Sequence, residues 1–465
     1  MSAPNIVGSL PPVRGGDLIA QIRDLMEQDG RCTVVLDDDP TGTQTVHGVV
    51  VRTTWSVDDL AEEISDSSSL FYVLTNSRSL NPVAAEERIA EIADNLAEAS
   101  TRTGRKVSVI SRSDSTLRGH YPLETDVLRR CLSKSEAMVV LCPFFAEGGR
   151  LTVGDTHYVV EGDSWVPAGE TPFANDASFG FTKSNLFDWV AEKHGEGFDS
   201  SLVHSVDVES LRGGDLDALA ERLLGLTPGS IVIVNALAIQ DVQAFVIATR
   251  KAQQMGAEFV FRTAASFVQA YGGIEPQPLL EGSDVRDITA AAGLVVVGSY
   301  VPKTTAQLNK LLENGDVTAV ELSVTKLLQS GQDIESVAMP LAAQINEHLR
   351  ARRHVVLHTT RDLIRGHDGD ASLDIGTQVS LAMQRIVSEI DAPLRYLIAK
   401  GGITSSDTAT GALEVQRAEV MGQIAAGIPV WKLGPESTRP GLAYVVFPGN
   451  VGDDEALLNV WRKLR

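Results

Sequence analysis

Short apolar runs alternate with helical patterns along the first half of the chain. We predict strands over 33–36, 70–74, 107–110 and 138–141, with helices between them over 83–99 and 123–131. Two further strands are predicted over 230–235 and 258–262. Strands that alternate with helices are typical of βαβ units and a mostly parallel sheet. The sequence therefore predicts an α/β fold.

A stretch rich in glycine and proline, 272–278, interrupts this alternation. Beyond it, further strands are predicted over 293–298, 354–357, 396–399 and 444–447. A length of 465 residues also exceeds what one hydrophobic core usually supports. We therefore expect two α/β domains with mostly parallel sheets, over 1–280 and 290–465, and an active site in the cleft between them.

The charge of the chain restricts its partners. With a net charge of −21, the protein has no general electrostatic attraction for nucleic acid or for an anionic membrane. Its three cysteines form no CxxC pair, which argues against a disulfide scaffold and fits a reducing compartment. The sequence shows neither a signal peptide nor an apolar run of membrane-spanning length. We expect a soluble, cytoplasmic protein with small-molecule partners.

Three consecutive carboxylates follow the first predicted strand. The apolar run Val34-Val35-Leu36 leads into Asp37-Asp38-Asp39, and a Pro-Thr-Gly-Thr turn comes next. Ligands bind at the carboxyl ends of strands in open α/β sheets. Three adjacent acids repel one another, so a cation, a hydroxylated ligand or nearby arginines would have to make the cluster tolerable. A solvated acidic turn with a helix cap is the alternative interpretation.

Polar clusters also follow the other three early strands, over 75–79, 111–120 and 142–150. These ends should converge on one crevice. Arg78, Arg112 or Arg118 could hold a carboxylate in bidentate fashion, whereas Asn76, Asp38 and Ser115 could bind hydroxyl groups. The set suits a small polyhydroxylated acid, although helix capping would also explain the serines.

Two histidines, His120 and His157, lie in or near these clusters. Neither has a histidine or cysteine at the spacing of a metal site. We interpret them as hydrogen-bonded structural or substrate-facing residues.

Glycine-containing turns end three strands of the second half, over 298–305, 400–407 and 447–454. Small residues before a helix leave backbone N–H groups free for phosphate, and glycine lets the backbone approach a nucleotide closely. The first turn is not a Walker A loop, because it lacks the second glycine before Lys303. Each turn alone could be an ordinary connection, but three in one domain favour a nucleotide site.

The order of these motifs resembles that of the four-carbon acid sugar kinase family. It runs Asp-Asp-x-Pro-Thr-Gly, Thr-Asn-Ser-Arg, Ser-Asp-Ser-Thr-Leu-Arg-Gly, then Gly-Ser, Lys-Gly-Gly-x-Thr-Ser and Pro-Gly-Asn-x-Gly. The resemblance extends from about Val34 to the last helix. It implies an N-terminal domain that binds threonate, erythronate or a 3-oxo-tetronate, and a C-terminal domain that binds ATP. It further implies Mg²⁺-dependent phosphorylation of the terminal hydroxyl, and a homodimer is plausible.

The resemblance and the strand-end chemistry together define the candidate site residues. The catalytic candidates are Asp38 and Asp114. The substrate-binding candidates are Asp37, Thr41, Gly42, Asn76, Arg78, Arg112, Ser115 and Arg118. The ATP-binding candidates are Ser299, Gly401, Gly402, Ile403, Thr404, Gly449, Asn450 and Gly452. No metal ligands are assigned.

The chain departs from the usual family pattern at three places. Asp39-Pro40 precedes Thr41, Ile403 stands where a glutamate is common, and the segment 154–181 is longer than expected. These departures bear on the substrate more than on the reaction class.

Two other functions fit parts of the sequence. The segment 34–41 is similar to the hydrophobic-Asp-x-Asp-x-Thr motif of haloacid dehalogenase-type phosphatases, in which Asp37 would be the nucleophile and Asp39 the acid/base. Such enzymes need a later lysine and an acidic metal motif, and Gly452-Asp453-Asp454 lies far downstream for that role. A sugar-acid sensor without turnover is the other alternative, but it would not need a second domain of glycine loops.

Overall fold

The computed structural model divides into two compact units, Met1–Pro276 and Gln277–Arg465. It describes residues 3–66, 69–132, 134–285, 287, 289–299, 301–330, 333–361 and 369–465. Each unit is built from strands and helices around a mostly parallel sheet. The predicted fold class of two α/β domains is therefore confirmed.

The first unit contains eleven strands and nine helices among its described residues. The strands are β1 (Cys32–Asp37), β2 (Val49–Arg52), β3 (Leu70–Leu74), β4 (Val107–Arg112), β5 (Met138–Cys142), β6 (Arg150–Val153), β7 (Thr156–Glu161), β8 (Ser164–Pro167), β9 (Val203–Val206), β10 (Ile231–Val234) and β11 (Phe259–Thr263). The helices are α1 (Leu18–Asp29), α2 (Val57–Ser65), α3 (Pro82–Thr103), α4 (Leu123–Cys131), α5 (Leu186–His194), α6 (Val208–Gly213), α7 (Leu216–Leu224), α8 (Ile239–Gln254) and α9 (Ala265–Tyr271).

The main sheet of this unit has the strand order β2-β3-β1-β4-β11-β5-β10-β9. Every neighbouring pair is parallel. The chain passes from β1 to β3 on one side and then crosses to β4 on the other, so the strand order reverses at β1. Ligands bind at such a switch point, beyond the carboxyl ends of the strands. A separate antiparallel sheet consists of β6, β7 and β8.

Apolar side chains of the helices cover this sheet. Ile89, Ile92 and Leu96 recur at helical spacing on α3 and pack in one core with Leu60 of α2 and Val34 of β1. Fully burying one such side chain contributes about 1.5–3 kcal/mol. Strands β1, β3 and β4 are buried along their whole length because helices lie on the faces of a parallel sheet. Burial on both faces of the sheet explains why these strands appear in the sequence as apolar runs.

The second unit contains strands β12 (Leu294–Val297), β13 (Val317–Leu322), β14 (His354–Thr359), β15 (Leu397–Lys400), β16 (Arg417–Ala425), β17 (Ile428–Leu433) and β18 (Ala443–Phe447). Its described helices are α10 (Gly282–Val285), α11 (Pro302–Asn314), α12 (Val324–Gln329), α13 (Ile334–Arg350), α14 (Gly369–Ser388), α15 (Gly402–Asp407) and α16 (Ala456–Leu464). The strand order is β13-β14-β12-β15-β18-β17-β16. The first five strands are parallel, whereas β17 is antiparallel to both β18 and β16.

Each strand predicted from the sequence is present, with ends that differ by no more than two residues. The strands β2, β9 and β13, the small sheet β6–β8 and the hairpin β16–β17 were not predicted. No helix in the described part of the chain is long and apolar enough to cross a membrane.

Candidate active site

The three aspartates lie where β1 ends. Asp37 is the last residue of β1, and Asp39 caps a 3₁₀ turn over Pro40–Thr43. The Thr41 backbone N–H and its hydroxyl both donate to Asp39 Oδ1, at 2.9 and 2.5 Å. Asp37 and Asp38 are each only 2% exposed. The alternative of a solvated acidic turn is therefore wrong for these two carboxylates, although Asp39 does cap the turn.

Arginines from the neighbouring strand ends neutralise this cluster. Arg78, which follows β3, has Nη2 2.5 Å from Asp39 Oδ2 and Nη1 3.5 Å from Asp114 Oδ1. Arg112, the last residue of β4, has Nη1 3.3 Å from Asp37 Oδ1 and 3.7 Å from Asp38 Oδ1. The aspartates thus tolerate one another because guanidinium groups lie between them.

Asp37 is enclosed beneath the turn that follows it. A Cβ placed on Gly42 would lie 2.0 Å from both carboxylate oxygens of Asp37. Only a residue without a side chain fits here, which explains the glycine in the Pro-Thr-Gly motif. Burial raises the pKa of Asp37 to about 8, and the Arg112 guanidinium only partly opposes this effect.

Asp38 has unused hydrogen-bonding capacity. Both of its carboxylate oxygens are buried and lack a hydrogen-bond partner among the described residues. Burial raises its pKa to about 6, against the opposing charges of Arg78 and Arg112. Leaving buried acceptors unsatisfied costs about 1–3 kcal/mol, and more when they are charged. A ligand that donates to Asp38 would recover that cost.

Asp114 differs from Asp38 although it lies nearby. Arg118 Nε is 2.8 Å from Asp114 Oδ2, and the Thr116 hydroxyl donates to the same oxygen. Burial alone would raise its pKa, but the Arg118 and Arg78 charges and these hydrogen bonds hold it well below the usual range. Asp114 is therefore ionised and already bonded.

A second set of buried groups supports the loops. Glu124 of α4 accepts from the Ser77 hydroxyl at 2.5 Å and from the Ser111 hydroxyl at 2.8 Å, which ties the end of β3 to β4. His157 Nε2 donates to the Ser115 carbonyl at 2.8 Å. Burial lowers the pKa of His157 to about 4, so the ring is neutral. This histidine is a hydrogen-bonded structural residue, as interpreted from the sequence.

The long segment 154–181 extends toward this cluster. After β8 the chain places the Phe173 ring 5.2 Å from the Arg118 guanidinium carbon and 5.5 Å from that of Arg150. Asp176 Oδ2 lies 3.6 Å from Arg118 Nη1. The segment singled out in the sequence therefore contacts an arginine of the candidate site.

Arg262 on β11 was not among the predicted site residues. The chain places β11 between β4 and β5 in the sheet, so its carboxyl end belongs to the same crevice. Arg262 is 2% exposed, and its Nη2 donates to the Arg118 carbonyl at 2.8 Å. The sequence did contain a signal for this residue, because an arginine at the end of an otherwise apolar strand is a candidate for binding an anion.

The predicted residues of the first unit therefore meet at adjacent strand ends. Asp37 to Gly42 lie at the end of β1, Asn76 and Arg78 just after β3, and Arg112 to Arg118 at the end of β4. Asn76 starts the turn that carries Arg78 and has a left-handed backbone, with φ of 50°. The loop after β5, also expected here, is separated from β4 by β11.

Glycine loops of the second unit meet at the ends of β12, β15 and β18, which are neighbours in the sheet. A Cβ on Gly401 would lie 2.9 Å from the Ser299 Cβ and 3.3 Å from the Thr404 hydroxyl. The Ser299 hydroxyl is 3.8 Å from the position of a Cβ on Gly449. Gly401 has φ of 116°, a conformation that side chains rarely allow. The loops predicted to bind a nucleotide are thus brought together.

Lys400, the last residue of β15, holds the glycine loop that follows β18 in place. Its side chain is fully buried, and Nζ donates to the Pro448 carbonyl and, at 3.0 Å, to the Gly449 carbonyl. Burial lowers the pKa of Lys400 to about 7. The Gly449 carbonyl also accepts from the Thr304 hydroxyl of α11 at 3.1 Å. One loop is therefore tied to both other strand ends.

The remaining candidates of this unit have different surroundings. Gly402 follows Gly401 at the start of α15, and the Ile403 side chain is 64% exposed, which is unusual for an aliphatic residue. Asn450 is exposed, and a Cβ on Gly452 would meet Ala456 of α16 rather than the Ser299 group. Their nucleotide-binding roles stay predictions.

Arg361 adds a positive charge to the Ser299 loop and was missed in the sequence. Its Nη2 donates to the Ser299 carbonyl at 2.5 Å and to the Thr305 hydroxyl at 3.0 Å. Nε and Nη1 are buried without a hydrogen-bond partner in the described part of the chain. A guanidinium with free donors beside glycine loops fits a phosphate group. The loops and this arginine therefore fit the phosphates of a nucleotide.

The described residues contain no group of three or more histidine, cysteine, aspartate or glutamate side chains arranged to hold a metal ion. Mg²⁺ commonly binds through substrate phosphates and water, with one or two carboxylates. The site offers no dedicated cage of protein ligands within these residues.

Comparisons with known proteins agree with this division of the chain. Residues 33–271 match a sugar-binding N-terminal domain, and residues 294–457 match a nucleotide-binding C-terminal domain. No curated protein matches the chain significantly.

Two solved structures share the fold. A Salmonella typhimurium LT2 protein described as a candidate tRNA synthase has 15% identity and a TM-score of 0.68, over 93% of this chain and 99% of that protein. A Haemophilus influenzae protein of the DUF1537 family has 17% identity and a TM-score of 0.60, over 93% and 100%. At these identities the likeness supports the fold, while the matches to the two domains cover most of the sequence. The chain belongs to the four-carbon acid sugar kinase family.

Proposed function

We propose that this protein transfers the γ-phosphoryl group of ATP to the terminal hydroxyl of a four-carbon sugar acid, such as threonate, erythronate or a 3-oxo-tetronate. The observation that carries the proposal is the buried carboxylate of Asp38. It has two oxygens without a hydrogen-bond partner among the described residues and lies among arginines in the sugar-binding domain. A polyhydroxylated anion matches both features.

Asp38 is the proposed general base. As the terminal oxygen of the sugar acid bonds to the γ-phosphorus, its proton passes to Asp38 and the bond from phosphorus to the β-phosphate oxygen breaks, releasing ADP. A pKa of about 6 leaves Asp38 ionised at neutral pH yet basic enough to take the proton. Asp114 is a weaker base because its arginine partners hold its pKa low. We assign it to substrate positioning.

The Ser299, Gly401, Gly402, Thr404 and Gly449 group is the proposed phosphate cradle. Its glycines bring backbone N–H groups close to where the phosphates would bind, and Arg361 would neutralise their charge. Mg²⁺, when bound with ATP, would reduce the negative charge on the phosphates.

A phosphatase of the haloacid dehalogenase type is disfavoured by the surroundings of Asp37. That residue would have to attack phosphorus, but Gly42 covers its carboxylate and burial raises its pKa to about 8. A protonated, covered carboxyl is a poor nucleophile.

Turnover on a substrate panel tests the proposed function. Purified protein with ATP and Mg²⁺ is incubated with threonate, erythronate and 3-oxo-tetronate stereoisomers, and ADP release is measured. At least one acid should stimulate ADP release, and Asp38→Asn should abolish the stimulation. A sensor would bind an acid without consuming ATP, which would contradict the proposal. Mg²⁺ dependence, cytoplasmic location, a homodimer and a site in the cleft between the domains all stay predictions.

A further inference from the structure

We propose that Arg262 binds the carboxylate of the sugar acid and thereby makes the enzyme select acids over the corresponding alcohols. This inference rests on the proposed function and names a residue that specifies its substrate class. The sequence pointed instead to Arg78, Arg112 and Arg118.

Those three arginines are already engaged by carboxylates of the protein. Arg78 pairs with Asp39 and Asp114, Arg112 with Asp37, and Arg118 with Asp114. Binding a substrate carboxylate would require them to share or lose these partners. Their main effect is to hold the aspartates in place.

Arg262 differs from these three arginines because it forms no ion pair among the described residues. Arg112 also has an unbonded nitrogen, Nε, but it already pairs with Asp37. Arg262 is 2% exposed, and none of the described carboxylates lies within ion-pair distance of it. Its Nη1 is buried without a hydrogen-bond partner among those residues.

Burial lowers the pKa of Arg262. The charges of Asp38, Glu124 and Asp114, none of them in an ion pair with it, only partly oppose this effect. A ligand anion in direct contact would offset the remaining cost of the buried cation. The structure therefore contains a built but incomplete anion site.

The orientation of Arg262 is fixed by its neighbours. Nη2 donates to the Arg118 carbonyl at 2.8 Å. The guanidinium carbon lies 5.8 Å from the Tyr121 ring and 5.6 Å from the Trp189 ring, at cation–π distance. A held guanidinium loses little freedom when an anion binds, so more of the interaction energy appears as affinity.

Gly119 places Arg262 and the proposed base on the same small space. A Cβ on Gly119 would lie 3.6 Å from Arg262 Nη2 and 3.3 Å from Asp38 Oδ2. Gly119 has φ of 116°, so its backbone disfavours any side chain. A short ligand lying over Gly119 can reach both groups, with an anionic end toward Arg262 and a hydroxyl toward Asp38. These are the two ends of a sugar acid.

The test compares acids with alcohols of equal carbon number. KM is measured for threonate, erythronate, threitol and erythritol in wild type, Arg262→Gln and Arg262→Lys, with KM for ATP measured in parallel. Arg262→Gln should raise KM for the preferred acid about 100-fold, which corresponds to loss of a charged hydrogen bond. Turnover of the alcohol and KM for ATP should change less than about threefold. Arg262→Lys should be intermediate.

The matched control is Arg250→Gln. Arg250 is also buried, lies 4.0 Å from the Tyr271 ring and donates to the Tyr271 carbonyl, but none of the aspartates of the site contacts it. It should leave the acid-to-alcohol preference unchanged. Arg150 is the alternative residue that could bind the substrate carboxylate, because it lies beside Phe173 and Arg118. The variant Arg150→Gln tests this alternative.

Two results would overturn the proposal. One is an unchanged acid-to-alcohol preference in folded Arg262→Gln, or its loss in Arg150→Gln instead. The other is a rise in KM for ATP alone, which would assign Arg262 to the phosphate. If Arg262→Gln does not fold, the lysine variant decides by the same preference.

Calorimetry with threonate and erythronate separates this proposal from the proposed function. Binding of an acid without turnover, weakened by Arg262→Gln, would refute the kinase and retain the carboxylate site. Turnover of an acid by the wild type, with an acid-to-alcohol preference that Arg262→Gln leaves unchanged, would retain the kinase and refute the carboxylate site at Arg262. If the wild type binds none of the acids of the substrate panel, including the 3-oxo-tetronates, both proposals are refuted.

Discussion

Replacing Asp38 by asparagine should make the protein more stable and inactive. Asparagine is nearly the same size as aspartate but cannot ionise. The Asp38 carboxylate is 2% exposed, and its oxygens lack hydrogen-bond partners among the described residues. Arg78 and Arg112 keep Asp39 and Asp37 as partners after the change. The substitution therefore removes a buried charge without leaving either arginine alone.

The magnitude follows from the pKa of Asp38. Burial raises it from 3.8 to about 6, and each unit is worth about 1.4 kcal/mol. The charged form thus destabilises the fold by at most about 3 kcal/mol. The folded state favours the protonated form of Asp38, because the folded pKa is raised. The stability that this preference contributes is complete below about pH 4 and is lost as pH rises through about 6. The gain from Asp38→Asn should be near zero at about pH 4 and reach about 1–3 kcal/mol at about pH 8.

Urea denaturation at about pH 4.5 and about pH 8 measures this difference. Activity should fall by roughly 10²–10⁴-fold, the usual contribution of a general base. Asp114→Asn is the matched control with the opposite sign, because ion pairs hold the Asp114 pKa low. It should destabilise the protein by about the same amount at both pH values, because stability that comes from a lowered pKa is lost only below about pH 4, the ordinary carboxyl range. An Asp38→Asn variant that is less stable than wild type at about pH 8, or whose effect does not vary with pH, would refute the reasoning.

Three further outcomes follow from the geometry. Gly42→Ala should lose about 2–4 kcal/mol of unfolding free energy in urea denaturation, because its Cβ would lie 2.0 Å from the Asp37 carboxylate oxygens. Gly213→Ala is the control, because there is open space around Gly213. Equal stability of the two variants would contradict the close approach of Gly42 to Asp37. Gly401→Ala should raise KM for ATP about tenfold and cost about 1–3 kcal/mol, because φ is 116°; unchanged KM would remove Gly401 from the phosphate cradle. Finally, kcat/KM for the acid should decline as pH falls below about 6, the pKa of Asp38, and a profile flat down to about pH 5 would exclude this base.

The convergence of the polar clusters could be predicted because it depends on a local rule. In parallel strands the carboxyl ends share one edge, so residues after β1, β3 and β4 must lie near one another. The same rule brought Ser299, Gly401 and Gly449 together at β12, β15 and β18.

What escaped prediction depends on contacts between distant parts of the chain. The position of β11 between β4 and β5 is set by pairing across more than a hundred residues, so periodicity could not assign Arg262 to the site. Arg361 was missed because a hydrogen bond to the Ser299 carbonyl places it beside the glycine loops, and no sequence motif predicts that contact. The sequence allowed nearby arginines to neutralise the three aspartates, but it could not say that Arg78 and Arg112 do so, because an arginine at a strand end also suits a ligand.

The hairpin β16–β17 is a different kind of omission. The burial of β16 alternates along Arg417–Ala425, so a strand period was present in the sequence and was overlooked. The small sheet β6–β8 has weaker alternation and lies within the long segment that was noted only for its length.

The most direct test of the central proposal is phosphorus NMR of a reaction containing the protein, ATP, Mg²⁺ and the sugar-acid panel. We predict that the γ-phosphate signal of ATP declines as a phosphate ester at the terminal carbon of one acid appears, in equal amount to ADP, and that Asp38→Asn forms none. If no ester forms with any acid of the panel, the kinase is contradicted. Release of inorganic phosphate in a parallel sample that contains sugar phosphates and no nucleotide would then favour a phosphatase.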